Sequence, residues 1–210
     1  MKLYYSAGSC STSCHITLEE SGLPYTAIEV DFDRPTDPNT LLVNQLNSLG
    51  TLPILITGDG KQLDQNLAIH IYIADLAPKK NLLPPFGTFD RIEALNTLSF
   101  VASDLHKSIG ALFSLPSISS EPSVQAPVRK FMLDRAHQCL RYIDTQLAEK
   151  DYLMGKFFTV LDAYAFVVIG WTKWLEIPLA SYSQLQNYLT RISVRPAVAK
   201  VLQAEGLNLE

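Results

Sequence analysis

The 210-residue chain lacks the features that define several large protein classes. Three cysteines are too few, and an odd number, for the disulfide framework of a small secreted domain. The formal net charge is −4 and no basic run is present, so neither nucleic acid nor anionic lipid is expected as a ligand. The G-x-G-x-x-G and P-loop strings of nucleotide-binding folds are also missing. These absences favour a small molecule or another protein as the ligand.

Long hydrophobic runs are absent as well. The longest, Ala163 to Trp171, has about half of the ~18 residues that a spanning helix needs, and Lys173 follows it closely. Near the N-terminus, Ser6, Gly8 and Ser9 interrupt the apolar stretch before the core of a signal peptide could form. We therefore expect no membrane segment, and the small, odd number of cysteines leads us to expect a reducing, cytoplasmic location.

Apolar material is plentiful, because 47% of the residues are hydrophobic and the chain has nine Phe, nine Tyr and two Trp. Such a composition supports a folded core and excludes intrinsic disorder. The length allows one large domain or two small ones.

The first eighty residues carry alternating strand and helix signals. Strands are predicted at 2–5, 25–30, 52–56 and 62–63, and helices from 9–11 to Gly22, over 40–46, and from Leu67 to the residue before Pro78. Residues 31–39, with two prolines, are predicted to be a loop. The order β-α-β-α-β-β-α, with a proline opening the third strand, indicates a thioredoxin-like α/β layer.

Strand signals nearly vanish after a proline-containing linker. Helices are predicted over 89–113, 128–147, 159–174, 181–192 and 196–204, with a loop over 116–127. We therefore expect a thioredoxin-like domain at 1–80, a linker at 81–87 and an all-helical domain at 88–210.

Cys10 stands where the first predicted strand gives way to the first helix. The N–H groups at a helix start stabilise an anion, and with a nearby cation they can lower a thiol pKa from ~8.5 to ~7 or below. The local sequence leaves two interpretations open. Cys10 is either a reactive thiolate or an inert cysteine packed under the helix.

Pro53 opens a predicted interior strand, where a proline removes a hydrogen-bond donor from the ladder. It indicates a bend or a cis peptide bond, and the alternative is an ordinary trans proline at a strand start. A cis bond would leave the backbone of Leu52 unpaired, so an extended peptide-like ligand could pair with it.

Gln65 and Asn66 begin the helix that follows the predicted hairpin. An amide side chain and free N–H groups at a helix start suit a ligand carboxylate. The alternative is that Asp64 or Asn66 merely caps this helix.

These junction residues lie within a longer set of motifs. The chain resembles the bacterial beta-class glutathione transferases from Met1 essentially to its C-terminus. Each matching segment is weak alone, but their order and spacing together are specific. The segments are MKLYYSAGSCS (1–11), ESGLPY (20–25), NSLGTLP (47–53), AI and YIADL (68–76), SDLHK (103–107), FTVLDAY (158–164) and RP (195–196).

The resemblance implies that the first domain binds glutathione as a co-substrate and that no metal is needed. By position, Cys10 would face the glutathione sulfur, and Leu52 would pair its backbone with the cysteinyl unit beside a cis Pro53. Gln65 and Asn66 would hold the γ-glutamyl amine and carboxylate. The resemblance further implies a homodimer.

The second domain would bind a small hydrophobic electrophile. The resemblance places Ser103, His106 and Lys107 near the glutathione site, where His106 and Lys107 would present positive charge to the two thiols. The alternative for His106 is a helix residue facing solvent or a satisfied interface. Three aromatic residues are candidates for the electrophile pocket, with core packing as the alternative: Phe113, Tyr164 and Trp171.

Several positions depart from the family pattern. Gln65 is neutral where a carboxylate is common, and a neutral hydrogen bond is about half as strong as a charge-assisted one. Asn66 stands where a small residue or serine is typical, Pro35 where some relatives carry lysine, and Cys14 where a proline is common. Cys14 is either a small core residue or a partner for an internal disulfide with Cys10.

Two further features of the sequence are assigned to folding rather than to the site. Thr159 and Asp162 have the spacing of a capping box at the start of the apolar helix 159–174. Cys139, in the predicted helix 128–147, is expected to be a packing residue.

The leading functional hypothesis is a glutathione transferase that conjugates the glutathione thiolate to small apolar electrophiles. A cysteine at the site adds thiol–disulfide exchange or glutathione-dependent reduction at Cys10 as a second activity. The alternative is a non-catalytic ligand- or partner-binding protein on the same scaffold, motivated by Gln65, Asn66 and Pro35.

Overall fold

A four-stranded mixed sheet organises the N-terminal part of the computed structural model, which describes residues 1–209. The sheet order is β2-β1-β3-β4, with β1 parallel to β2 and antiparallel to β3. The last two strands form an antiparallel hairpin. The strands are Lys2–Tyr5 (β1), Thr26–Glu29 (β2), Ile54–Ile56 (β3) and Gln62–Leu63 (β4).

Three helices accompany this sheet, in the order that the sequence predicts, and the thioredoxin-like class is confirmed. They are Ser11–Ser21 (α1), Pro38–Leu46 (α2) and Asn66–Leu76 (α3). Helix α1 ends at Gly22, which takes the left-handed conformation (φ 68°) that favours glycine.

The predicted loop 31–39 is wrong at its end, because α2 begins at Pro38. The Asp37 side chain accepts hydrogen bonds from the backbone N–H groups of Asn39 and Thr40, and Pro38 occupies the first helical turn. Aspartate followed by proline is a strong helix start, which outweighs the turn signal of the preceding Pro35.

The alternation of side chains along the strands gives the sheet two buried faces. Leu3 and Tyr5 point to one face and Tyr4 to the other. The first face packs with Cys14, Leu18, Leu55, Ile69 and Ile73, and the second with Val30, Val43 and Ile54.

The remaining described residues are mostly helical. A short 3₁₀ turn at Pro78–Lys80 leads to the later helices. These are Phe89–Phe100 (α4), His106–Phe113 (α5), Leu115–Ile118 (α6), Pro122–Gln146 (α7), Val160–Trp174 (α8), Ser183–Ser193 (α9) and Pro196–Glu205 (α10).

Two helix predictions in this part need correction. The single helix predicted over 89–113 is interrupted by a π-helical turn at Val101–Leu105, which inserts an extra residue into the helical repeat. The loop predicted over 116–127 contains α6 and the start of α7. Pro127 lies inside α7, where one lost backbone bond is outweighed by the other turns of a 25-residue helix.

The described residues form two compact units, Met1–Arg91 with Arg195–Asn208, and Ile92–Val194 with Leu209. Helix α10 belongs to the first unit, where the guanidinium of Arg195 makes two hydrogen bonds to the Glu20 carboxylate on α1. The compact units therefore differ from the predicted ranges 1–80, 81–87 and 88–210, which remain a prediction about domains. No helix within residues 1–209 is both long and apolar enough to cross a bilayer.

Candidate active site

Cys10 occupies the N-cap position of α1 and is partly exposed. The chain reaches it through a tight turn after β1, in which Gly8 has a φ of 75°, a conformation that residues with a Cβ rarely adopt. The Sγ atom of Cys10 lies 3.7 Å from the carbonyl oxygen of Leu52. The thiol therefore sits at the strand–helix junction that the sequence predicts.

The Leu52–Pro53 peptide bond is cis, as the resemblance implied. Pairing between β1 and β3 begins at Ile54, opposite Tyr4, so Leu52 lies outside the sheet ladder. Leu52 and Cys10 thus form one end of the candidate site.

Asn66 is the first residue of α3, and its side chain bonds to the segment that carries Cys10. Its Nδ2 atom donates to the Cys10 carbonyl oxygen at 2.7 Å and lies 3.2 Å from the Ser13 hydroxyl. Gln65, which is exposed, occupies the N-cap position without a side-chain capping bond. The alternative that Asp64 or Asn66 caps α3 is therefore wrong.

A buried polar chain behind Cys10 escaped the sequence analysis. The Ser13 hydroxyl donates to the Cys10 carbonyl at 2.6 Å and lies 3.0 Å from Nε2 of His70. The other ring nitrogen of His70 lies 2.8 Å from the Thr17 hydroxyl. His70 is fully buried, and burial lowers its pKa to about 3, so the ring is neutral at physiological pH.

Helix α10 contacts the turn before Cys10 through the side chain of Glu205. One carboxylate oxygen of Glu205 accepts from the Thr12 hydroxyl at 2.7 Å and from the Gly8 N–H at 3.3 Å. The other lies 2.7 Å from Nδ1 of His15. This contact also escaped sequence reasoning, because it joins residues about 190 positions apart.

The other two cysteines are buried packing residues. Cys14 is fully buried within the core face of α1, and burial raises the pKa of its thiol well above its ordinary value. Burial likewise raises the pKa of the Cys139 thiol, which receives a hydrogen bond from Ser108. A buried thiol with a raised pKa attacks disulfides or sulfenic acids slowly, so the packing interpretation of Cys14 is favoured over an internal disulfide.

Ser103, His106 and Lys107 lie in the second compact unit, at the π-helical turn and the first turn of α5. Ser103 and Lys107 are exposed, and the Ser103 hydroxyl lies 2.9 Å from Ser99 O and 2.8 Å from the Asp104 carboxylate, its two possible acceptors.

His106 does not carry the positive charge that was expected. Its Nδ1 atom lies 2.6 Å from the Tyr164 hydroxyl, and its ring packs edge-on against Trp171. Burial, aided by the neighbouring charge of Lys107, lowers its pKa to about 4. His106 is therefore neutral at physiological pH, and Lys107 supplies the cation in this turn.

The three aromatic candidates for an electrophile pocket divide into two groups. Tyr164 and Trp171 are 2% and 5% exposed, which makes them core residues of the helical unit. Phe113 is 45% exposed and meets Trp171 edge-on. Phe113 is the one member of the three that is exposed.

The predicted capping box is confirmed. The Asp162 carboxylate accepts from the backbone N–H and the hydroxyl of Thr159, and its other oxygen accepts from Leu153 N–H and the Tyr188 hydroxyl. All four donors surround a fully buried carboxylate, so the role of Asp162 is structural.

Within residues 1–209, no group of three or more metal-ligating side chains is present.

A thioredoxin-like unit with a cysteine at the start of its first helix, followed by a helical unit, defines a class of thiol-dependent proteins. Two family models match the chain, "Glutathione S-transferase, N-terminal domain" over residues 7–76 and "Glutathione S-transferase, C-terminal domain" over residues 103–205. Glutathione S-transferase GstA of Escherichia coli O157:H7 is 34% identical, over 99% of this chain and 100% of that protein.

Among the solved structures that resemble this chain, two examples cover 99% of it and are themselves covered completely. A sphingomonad glutathione S-transferase complexed with glutathione has 35% identity and a TM-score of 0.89. The bacterial beta class glutathione S-transferase of Sphingomonas chungbukensis has 34% identity and the same TM-score. The chain belongs to the glutathione S-transferase family, and the resemblance to its bacterial beta class is confirmed.

Proposed function

We propose that this glutathione S-transferase conjugates the thiolate of glutathione to small apolar electrophiles. The observation that carries the proposal is the grouping of the Cys10 thiol, the Leu52 backbone and the start of α3 within one compact unit. Glutathione is the ligand found in the sphingomonad relative, and it has an extended peptide backbone, a thiol and a γ-glutamyl end that match these three elements.

In this proposal the Leu52 backbone pairs with the cysteinyl unit, next to cis Pro53. The γ-glutamyl carboxylate lies at the start of α3, where backbone N–H groups favour an anion. Because the Asn66 side chain is already bonded to Cys10, its backbone N–H is the group offered to the carboxylate. The exposed Gln65 amide accepts from the γ-glutamyl amine.

Cys10 faces the glutathione sulfur and gives the site a second reaction. The Cys10 thiolate attacks the glutathione sulfur of a mixed disulfide between glutathione and a second thiol, forming a protein–glutathione disulfide and releasing the second thiol as a thiolate. A reduced glutathione thiolate then attacks the protein–glutathione disulfide, restores the Cys10 thiolate and leaves as oxidised glutathione, so that glutathione is the net reductant. Serine or tyrosine in the same place cannot form this intermediate.

The helical unit is proposed to bind the electrophile. Phe113 offers an exposed aromatic side chain, and Lys107 supplies a positive charge one residue beyond His106. His106, being neutral, serves as a hydrogen-bonding group rather than as a charge. The proposal includes assembly as a homodimer and a cytoplasmic location.

A second candidate is a non-catalytic ligand- or partner-binding protein on this scaffold. Two observations favour it: Gln65 is uncharged where relatives commonly carry a carboxylate, and the Asn66 side chain is engaged with Cys10. The first weakens the hydrogen bond to the γ-glutamyl amine, and the second leaves glutathione one polar side chain fewer.

Glutathione calorimetry combined with a conjugation assay on a generic aryl halide separates the two candidates. Conjugation by the wild type, with Cys10→Ala keeping part of it but losing thiol–disulfide exchange, supports the proposal. Cys139→Ala makes the same change at the packing cysteine of the helical unit and should keep both activities. No binding and no conjugation by the folded wild type would favour the non-catalytic candidate.

A further inference from the structure

The main-chain carbonyl of Cys10 receives hydrogen bonds from two side chains. Its carbonyl oxygen accepts from Nδ2 of Asn66 at 2.7 Å and from the Ser13 hydroxyl at 2.6 Å. The backbone N–H of Ser13 approaches the same oxygen at 3.2 Å. Two of these three groups are side chains, from two different helices, and both are buried.

The direction of the protons in this cluster follows from donor counting. The Ser13 hydroxyl has one proton, and at 2.6 Å its closest acceptor is the Cys10 carbonyl. Ser13 must then accept from Nε2 of His70, which lies 3.0 Å away, so this nitrogen carries the ring proton. The bare Nδ1 accepts from the Thr17 hydroxyl at 2.8 Å.

We propose that Asn66, Ser13 and His70 form a positioning cluster that fixes the main chain of Cys10, and with it the thiol, relative to the first turn of α3. The cluster ties the start of α1 to the start of α3. Under the proposed function, these two helix ends hold the sulfur and the γ-glutamyl end of one glutathione molecule. In that respect the inference rests on the proposed function.

The neutral state of His70 suits this role. A protonated imidazole would donate from both nitrogens and would displace the Thr17 hydroxyl proton. Full burial keeps the ring neutral, so one tautomer is maintained across the physiological range.

Removing the Ser13 hydroxyl, and with it the hydrogen bond to the Cys10 carbonyl, should affect the Cys10 thiol. The partial negative charge of the Cys10 carbonyl oxygen is then compensated less, and a thiolate on the same residue becomes less favourable. Ser13→Ala should slow alkylation of Cys10 by iodoacetamide at pH 7 about threefold or more, which corresponds to one neutral hydrogen bond. It should also raise KM for glutathione more than it lowers kcat.

A matched control lies on the same helix. The buried hydroxyl of Ser21 donates to Leu18 O at the far end of α1. Ser21→Ala therefore costs a similar hydrogen bond but should leave the alkylation rate of Cys10, identified by peptide mass, unchanged. Equal Cys10 rates in folded Ser13→Ala and Ser21→Ala would overturn the proposal.

Two replacements of His70 separate positioning from general packing. The amide nitrogen of glutamine lies near the place of Nε2 and keeps the bond to Ser13, whereas asparagine reaches only the place of Nδ1. His70→Gln should keep the pH profile of Cys10 alkylation, and His70→Asn should shift it to higher pH as Ser13→Ala does. Identical profiles for the two would overturn the proposal.

If Ser13→Ala or His70→Asn does not fold, Asn66→Ala removes the other side-chain donor to the Cys10 carbonyl. Its rate of Cys10 alkylation is then compared with that of Ser21→Ala, and equal rates in the two variants would overturn the proposal. If the wild type binds no glutathione, the proposed function fails, while the alkylation rates still decide the inference about Cys10.

Discussion

The carboxylate of Glu205 on α10 lies 2.7 Å from Nδ1 of His15 on α1, so a buried polar contact joins these two helices. Its other oxygen accepts from Thr12 and from Gly8, the glycine of the turn before Cys10. The cysteine-bearing turn therefore depends on a residue near the C-terminus.

Glu205→Ala should lower the free energy of unfolding by about 3 kcal/mol, because it takes the acceptor away from the buried His15 ring and Thr12 hydroxyl. Urea unfolding measures this loss. Lys200→Ala, which breaks an exposed ion pair with Glu19 in the same helix pair, should cost less than about 1 kcal/mol. Equal losses in the two variants would contradict the assigned role of Glu205.

Asp162→Ala should lower the free energy of unfolding by about 3 kcal/mol or more, since four donors lose a buried acceptor. Its glutathione affinity, measured by calorimetry below the unfolding temperature, should stay unchanged. Asp134→Ala, which removes an exposed carboxylate paired with Lys130, serves as the control and should cost about 0.5 kcal/mol or less. Full stability combined with lost glutathione binding in Asp162→Ala would show that Asp162 belongs to the ligand site.

Acid should destabilise the protein through two histidines. The pKa is lowered to about 3 at His70 and about 4 at His106, whereas an unfolded histidine titrates near 6.5. Between these values the unfolded state binds more protons, so stability is present above pH 6.5 and is lost as the pH falls, by up to about 1.4 kcal/mol per pH unit for each histidine.

Urea unfolding at pH 7.5 and pH 5 measures this loss. The double variant His70→Gln and His106→Asn, in which each amide replaces one bonded ring nitrogen, should show a smaller difference between the two pH values. A difference equal to that of the wild type would contradict neutral histidines at these positions.

Gln65→Glu should tighten glutathione binding about fivefold, because a charge-assisted hydrogen bond to the γ-glutamyl amine replaces a neutral one. Calorimetry of both proteins at low ionic strength measures the change. Gln203→Glu adds the same charge on an exposed position of α10 and should leave the affinity unchanged. An equal effect of the two substitutions would assign the gain to net charge rather than to contact with the amine.

Local sequence patterns predicted the elements that depend on local physics. The strand at 2–5, the helix stop at Gly22 and the capping box of Thr159 and Asp162 each follow from neighbouring residues. The cis bond at Pro53 came from the family resemblance, since the local sequence left the trans form open.

Features that depend on distant neighbours were missed. Ser13 and Thr17 are four apart on α1, and Asn66 and His70 are four apart on α3, which lines each pair on one helix face. The spacing of four predicts that each pair shares a helix face, but the neighbouring sequence does not show that the two faces contact each other. The lost charge of His106 has the same cause, because burial against Tyr164 and Trp171 is a tertiary property.

The central claim is that Cys10 lies beside the sulfur of bound glutathione. Intact mass measured after incubation with oxidised glutathione, before and after reductant, tests it most directly. We expect one glutathione adduct per chain, released by reductant, mapped to Cys10 and absent from Cys10→Ala. An unmodified wild type, or an adduct that persists in Cys10→Ala, would contradict the account.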